Sequence, residues 1–347
     1  MTAEIIPPGF FEARSDLVLW LLTAGSVALL VYGADRTVSA AAKLAAALGM
    51  SKVIIGATVV SLGTTSPEAA VSVNAALQGD GGLALGNGVG SIICDTALVF
   101  GLCCCLTRLP KDRFVLSRHG WLQFGSGVLL AILLGLCWAI SGDIDQVKLP
   151  RLAGVGLLIL LVGYMYVSVR WSRQHAGITQ QANEGFAPSR KIVASLGNSV
   201  MLVFGLVLVV GGSDVLIGSV KQVCQRHDVS ETVIAATVVA FGTSLPELVT
   251  AIAALAKGHG DLLVGNVIGA DILNVLFVIG ASATAVPLDV DPRFYWFMVP
   301  TMLVALGMLR IWIFLPGDKF QRWQGVALLA VYVGFVVLSV KFGAEPA

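Results

Sequence analysis

Charge is what this sequence has least of. Only 12% of its 347 residues are Asp, Glu, Lys or Arg, where a soluble domain carries about 25%. The 22 basic and 21 acidic side chains leave a net charge of +1, and no Lys/Arg-rich run occurs, so nucleic acid is excluded as a partner. Histidine is rarer still. His119, His175, His227 and His259 fall at segment ends or in loops, form no metal-ligand array, and read as surface residues. The six cysteines, Cys94, Cys103, Cys104, Cys105, Cys137 and Cys224, include no CxxC pair with a second pair at zinc spacing, and read as small apolar residues. What fills the chain instead is apolar: 56% of residues are hydrophobic and the mean hydropathy is +0.87. Such values describe an all-α integral membrane protein.

About twenty apolar residues make one helical span, and ten such segments follow one another at 17–46, 52–78, 82–107, 116–140, 152–170, 192–222, 231–257, 261–285, 294–315 and 322–342. No A-x-A cleavage site follows the first, which is expected to be a retained span rather than a signal peptide.

Two of these segments carry a lone acid beside a helix breaker. In Gly63-Thr64-Thr65-Ser66-Pro67-Glu68, Glu68 is the only ionisable residue between Val53 and Gly79. In Gly242-Thr243-Ser244-Leu245-Pro246-Glu247, Glu247 is the only one between Thr232 and Ala256. The second stretch lies 179 positions after the first, and the same offset relates Ala57-Thr58-Val59-Val60 to Ala236-Thr237-Val238-Val239, Gly86-Asn87 to Gly265-Asn266, and Gly33 and Asp35 to Gly212 and Asp214. The chain is therefore a duplication: residues 1–171 form a first five-helix repeat, 172–191 a linker and 192–347 a second repeat. Five spans per copy, an odd number, place the second copy upside down, which makes two inverted-topology repeats of the kind found in secondary transporters. Fifteen of the 22 basic residues lie in the loops after the odd-numbered spans or in the span segments that adjoin those loops. That side is expected to be cytoplasmic, with both termini extracytoplasmic and the protein in the cell (inner) membrane.

A carboxylate near the bilayer midplane costs roughly 2.5–3.5 kcal/mol on insertion scales and persists only with a partner. Proline removes a backbone donor, so carbonyls around Ser61 to Thr64 and Ala240 to Thr243 lose helical partners and need another. A cation satisfies both needs. A second motif adds ligands: Gly86-Asn87-Gly88-Val89-Gly90-Ser91, ending in Asp95, and Gly265-Asn266-Val267-Ile268-Gly269-Ala270, followed by Asp271 and Asn274. Its glycines let helices approach closely. Ser91 and Asp95 share one helix face, as do Asp271 and Asn274. Glu68, Glu247, Asp95 and Asp271 thus join Asn274, Thr64, Thr65, Thr243, Ser244, Ser91 and the freed carbonyls as a set of hard oxygens, which suits calcium and also accepts sodium. One divalent ion neutralises two carboxylates, so Asp95 or Asp271 is expected to be neutral when calcium is bound. Ions needing the same carboxylates exclude one another, which describes an antiporter. Asp35 and Asp214 are expected to pair structurally. No nucleophile or metal triad accompanies the acids, so an enzyme is not expected, nor a cofactor, and the protein is expected to be a monomer.

These two motifs resemble the α-repeats of the cation/calcium exchanger superfamily, specifically the prokaryotic sodium/calcium exchangers, over nearly the whole chain. The resemblance implies exchange of intracellular calcium for extracellular sodium, with a proton-driven calcium or cation antiporter as the alternative. It implies that Glu68 and Glu247 are the central calcium ligands, assisted by Thr64 and Thr243, with Asp95 and Asn274 completing the site. Thr65, Ser244, Ser91 and the carbonyls of Ser61 and Ala240 would serve sodium. Three positions depart from the family pattern: Thr65 stands where Ser is usual, Asp95 and Asn274 exchange the places of Asn and Asp, and Ala270 replaces a serine.

Overall fold

The structure is a computed structural model that describes residues 6–48, 50–179, 188–226 and 244–344. Apart from a helical turn at Pro8–Glu12 and two-residue strands, it is built of helices: α1 (Asp16–Leu48), α2 (Lys52–Thr64), α3 (Ser66–Leu77), α4 (Gly81–Leu106), α5 (Arg113–Ser141), α6 (Arg151–Thr179), α7 (Pro188–Arg226), α8 (Leu245–Ala256), α9 (Gly260–Ala285), α10 (Phe294–Phe314) and α11 (Arg322–Ala344). Among the described residues, eight are long and apolar enough to cross a membrane, and α2 and α8 are shorter apolar helices. The second expected span, 52–78, is split into α2 and α3 at Thr65. Of the seventh, 231–257, α8 is described and 231–243 lie outside the described residues. Of the segment read as a linker, 172–179 belong to α6 and 188–191 to α7, and 180–187 lie outside the described residues.

The duplication is visible in the helix ends. Ser66–Leu77 and Leu245–Ala256 have both ends displaced by the same 179 positions, and so do Gly81–Leu106 and Gly260–Ala285. Each short helix stops on a glycine with left-handed backbone, Gly79 at φ 88° and Gly258 at φ 71°. Glycine adopts this conformation without a Cβ penalty, so the chain reverses at the same register in both copies.

Burial is graded from the centre outward. In the apolar stretch of α9, 94% of residues are buried, in α4 72%, and in α11 only 17%. The outer helices present large apolar side chains, including Leu21, Val31, Ile140, Ile159, Val162, Val207, Ile311 and Val326. A water-facing domain would not expose such a surface, while hydrocarbon imposes no cost on it. The longest helix contact runs between α1 and α7, with Gly33 against Gly205 and Leu208, and Gly212 against Leu30. Asp35 forms an ion pair with Lys257 at 2.7 Å, and Asp214 accepts a hydrogen bond from the Ile6 amide at 2.9 Å. Both acids thus have structural partners, as expected from the sequence. Strands Lys148–Leu149 and Leu288–Asp289 pair antiparallel and join the α5–α6 and α9–α10 loops.

Candidate cation-binding site

Proline places the two glutamates. Pro67 lies in the first turn of α3, where a missing N–H costs little because the helix has no acceptor for it. Upstream, the Gly63 carbonyl then has no N–H four residues ahead, and α2 ends at Thr65, with φ −82° and ψ −6°. The Ser66 hydroxyl donates to the Leu62 carbonyl at 2.5 Å. Glu68 follows in the first turn of α3, and Glu247 follows Pro246 in the first turn of α8. The unpaired amides and positive dipole end of a helix favour a negative charge at this position. Both glutamates are fully buried.

The two copies meet through these side chains. Thr65 of the first copy donates from Oγ1 to Oε1 of Glu247 in the second at 3.3 Å. Glu68 lies within electrostatic reach of both Glu247 and Asp95. Around them sit oxygens that find no protein partner: both of Glu68, Oε2 of Glu247, both of Asp95, the Ser91 and Ser244 hydroxyls, and the Asn274 amide. None of these residues is more than 3% exposed. Buried polar groups are almost always hydrogen-bonded, and an unpaired one in an apolar medium costs several kcal/mol. A concentration of them on four helices therefore reads as a ligand shell. Its donors are hard oxygens, consistent with calcium or sodium as cargo. Among the described residues, no three carboxylate, thiolate or imidazole side chains converge as a metal cluster. A cation here would meet carboxylate, hydroxyl and amide oxygens together.

Glu68, Glu247, Asp95, Asn274, Thr65, Ser244 and Ser91 are thus all buried in this interior. Thr64 is fully buried beside them, with its hydroxyl donating to the Ser61 carbonyl at 3.3 Å. That carbonyl also accepts from the Thr65 amide at 2.8 Å, so it is engaged within its own turn, and Gly63 is the residue whose backbone donor Pro67 removes. Thr243 and Ala240 lie outside the described residues. Asp271 is buried and near Asp95, but its Oδ2 is held by Thr96 and, at 2.5 Å, by Gln123 Nε2. The surface reading of the histidines fails at His119. It is 1% exposed and packs edge-on against Tyr164 and Trp171, because the start of α5 faces α6 rather than water. His259 contacts Lys52 at 3.0 Å. The side chains of His175 and His227 lie outside the described residues, as does that of Cys224. The five other cysteines are free, with Cys94, Cys103 and Cys104 buried.

The expected glycine packing is present in the second copy. A Cβ on Gly265 or Gly269 would collide with Val53 or Ala57 of α2, and one on Gly56 would collide with Leu262 and Asn266 of α9. At this crossing α2 contains a π-helical turn, Gly56–Val60, and further π turns occupy Cys94–Phe100 and Asn274–Ile279. Asn87 of the first glycine motif donates to the Ser72 hydroxyl at 2.9 Å. Two partners carry no motif in the sequence: Tyr164 donates to the Ala57 carbonyl at 2.6 Å, and Gln123 holds Asp271. A polar side chain inside an apolar span was their only signal.

The sequence model of the family described as sodium/calcium exchanger protein matches residues 18–170 and 198–341. The inner membrane protein YrbG of Escherichia coli is 32% identical over 92% of this chain and 95% of its own. The sodium/calcium exchanger MaX1 of Methanosarcina acetivorans is 28% identical, over 92% of this chain and 98% of its own. A solved structure of the sodium-calcium exchanger NCX_Mj superposes with a TM-score of 0.79 at 26% identity, covering 93% of this chain and 99% of that one. With both repeats matched by one family, and with Glu68 and Glu247 each following a proline in the first turn of a helix, this chain belongs to the sodium/calcium exchanger family.

Proposed function

We propose that this protein is a secondary antiporter that exchanges calcium for sodium across the cell (inner) membrane by alternating access. The observation that carries the reading is the pair Glu68 and Glu247, fully buried and surrounded by oxygens without protein partners. The ten-span architecture of two inverted five-helix repeats, with both termini extracytoplasmic and the chain acting as a monomer, completes the reading. It is supported by the matching helix ends in the two copies and by the break at Thr65, since discontinuous helices serve secondary transporters as ion sites.

The mechanism follows from charge. Two carboxylates with no basic partner among the described residues cannot remain bare in a low-dielectric interior. One calcium ion neutralises the pair, with a neutral Asp95, Thr64, Thr65, Ser244, Ser91, Asn274 and backbone carbonyls filling out the roughly six to eight oxygens that calcium takes. Sodium ions neutralise the same charge with the same donors, so the site releases one cargo as it accepts the other. The empty, doubly charged site is the costly state. Its cost is what suppresses a leak and couples the two fluxes. Thr243 and the carbonyls of Ser61 and Ala240 belong to this proposed set through the family pattern. The family match favours sodium over protons as the coupling ion.

The test is calcium uptake into proteoliposomes. Vesicles loaded with sodium chloride are expected to accumulate radiolabelled calcium, and vesicles loaded with choline chloride are not. Uptake driven by a pH gradient and indifferent to sodium would overturn the reading.

A further inference from the structure

The group around Asp271 lies near Asp95 of the proposed cation shell. Asp271 is 1% exposed, on α9, and no Lys or Arg among the described residues forms a hydrogen bond or ion pair with it. Its Oδ2 accepts from the Thr96 hydroxyl and from Gln123 Nε2. Its Oδ1 has no partner, and neither has Oε1 of Gln123, a residue that is also 1% exposed. Two hydrogen bonds do not balance a buried carboxylate, and the second atom of the amide that holds it is an oxygen, another acceptor. The amide orientation is not arbitrary, since reversing it would set Oε1 against the carboxylate. The result is a carboxylate oxygen, an amide oxygen and a hydroxyl from three different helices, all buried and lacking a counter-charge.

The neighbouring residue gives this group a use. Position 270, where a serine hydroxyl matches Ser91 of the first copy, is Ala270, fully buried. The second copy therefore lacks one neutral oxygen, and the acid one residue further on has no counterpart in the first copy, where the equivalent is Ile92.

We infer that Asp271, Gln123 and Thr96 form a monovalent-cation site for sodium, next to the Glu68–Glu247 centre and replacing the hydroxyl missing at Ala270. One carboxylate with neutral oxygens balances one positive charge and leaves a divalent ion uncompensated, so the chemistry selects sodium over calcium. Oδ1 of Asp271, Oε1 of Gln123 and the lone pairs of Thr96 Oγ1 would supply the ligands. The inference rests on sodium-driven antiport, and it adds a sodium ligand set that lies outside both broken helices.

The experiment uses the full chain in proteoliposomes, comparing wild type with Asp271→Asn and Gln123→Leu. Sodium-driven calcium uptake is measured across a range of sodium concentrations and normalised to the amount of protein incorporated into the same vesicles. In both variants the half-saturating sodium concentration is expected to rise about tenfold, equivalent to the loss of one ligand, and the Hill coefficient to fall by about one. Sodium curves that superimpose on wild type would overturn the inference, because a neutral, purely hydrogen-bonding Asp271 is mimicked by asparagine. Thermal unfolding in detergent gives a second readout. Sodium chloride is expected to raise the wild-type midpoint over choline chloride, and that increment is expected to disappear in the variants. An equal fall in both salts would mean a structural role only and would also overturn it. Should the wild type exchange calcium without responding to sodium, antiport with sodium fails first, and the sodium-dependent midpoint then decides the site by itself.

Discussion

The tightest helix crossing makes a quantitative demand. An added Cβ at Gly269 falls 2.5 Å from both the Cα and the carbonyl oxygen of Ala57, and 2.6 Å from the Ser61 hydroxyl. Ordinary contact begins at 3.4 Å, so the methyl group is 0.9 Å too close to backbone atoms, which cannot rotate away. In Gly269→Ala, α9 and α2 must therefore separate by about this distance, or α2 must shift along it. Overpacking of this kind costs about 1–3 kcal/mol, which exceeds the gain of up to about 1 kcal/mol from replacing a helical glycine by alanine. The functional effect should be larger than the stability effect. Ser61 and Thr65 lie on the displaced segment, and ligand constellations tolerate errors of only about 0.5 Å. The assay pairs thermal unfolding in detergent with sodium-driven calcium uptake, using Gly135→Ala as reference. Gly135, inside α5, has nothing within 4 Å of an added Cβ. Gly269→Ala is expected to unfold at lower temperature and to lose most uptake, and Gly135→Ala to match wild type or exceed its midpoint. A Gly269→Ala protein with the midpoint and uptake of Gly135→Ala would refute the packing argument.

Three further outcomes follow from the site. Glu68→Gln and Glu247→Gln are each expected to abolish calcium exchange, since a neutral amide halves the charge available to a divalent ion; wild-type rates in either protein would refute the assignment. Thr65→Val removes the hydroxyl 3.3 Å from Glu247 and should weaken calcium affinity about 10- to 150-fold, the effect of a charge-assisted hydrogen bond of about 1.5–3 kcal/mol, as read by the concentration dependence of calcium self-exchange. Tyr164→Phe strips the donor from the Ala57 carbonyl and should lower stability by about 1–3 kcal/mol, while Tyr166→Phe, on the exposed side of the same helix, should leave the unfolding midpoint unchanged.

Much of this architecture was legible in the sequence because the bilayer leaves few options. Lone acids, prolines and a constant offset are conspicuous in apolar segments, and they located Glu68, Glu247 and the break at Thr65. The wide helical turns were not legible. Asp95 is the second residue of the π turn Cys94–Phe100 and Asn274 the first of Asn274–Ile279, and an inserted residue in a helix leaves no mark on composition or hydropathy. For the same reason, the shared face assigned to Ser91 and Asp95 from 3.6-residue periodicity spans the start of a π turn, where that periodicity lapses. His119 was misread because a segment end was equated with the surface, and Tyr164 was missed because a tyrosine inside a span has no motif.

The exchange of residues between the copies has a simple physical sense. Asp95 and Asn274 occupy equivalent positions in the two repeats, as do Ser91 and Ala270, and Ile92 and Asp271. If each copy held its own ion, the second would lack both the acid and the hydroxyl that the first provides. The Thr65 to Glu247 contact shows instead that side chains of both copies enter one space. A cation at their junction responds to the summed charge and oxygen count of the shell, and which copy carries the acid of an Asp/Asn pair leaves the total unchanged. Duplication fixes the backbone breaks twice, because each glutamate needs its own proline and helix start. The remaining ligands are released from that symmetry. Asp271 can therefore arise on one copy alone, with Gln123 and Thr96 as the partners that hold it.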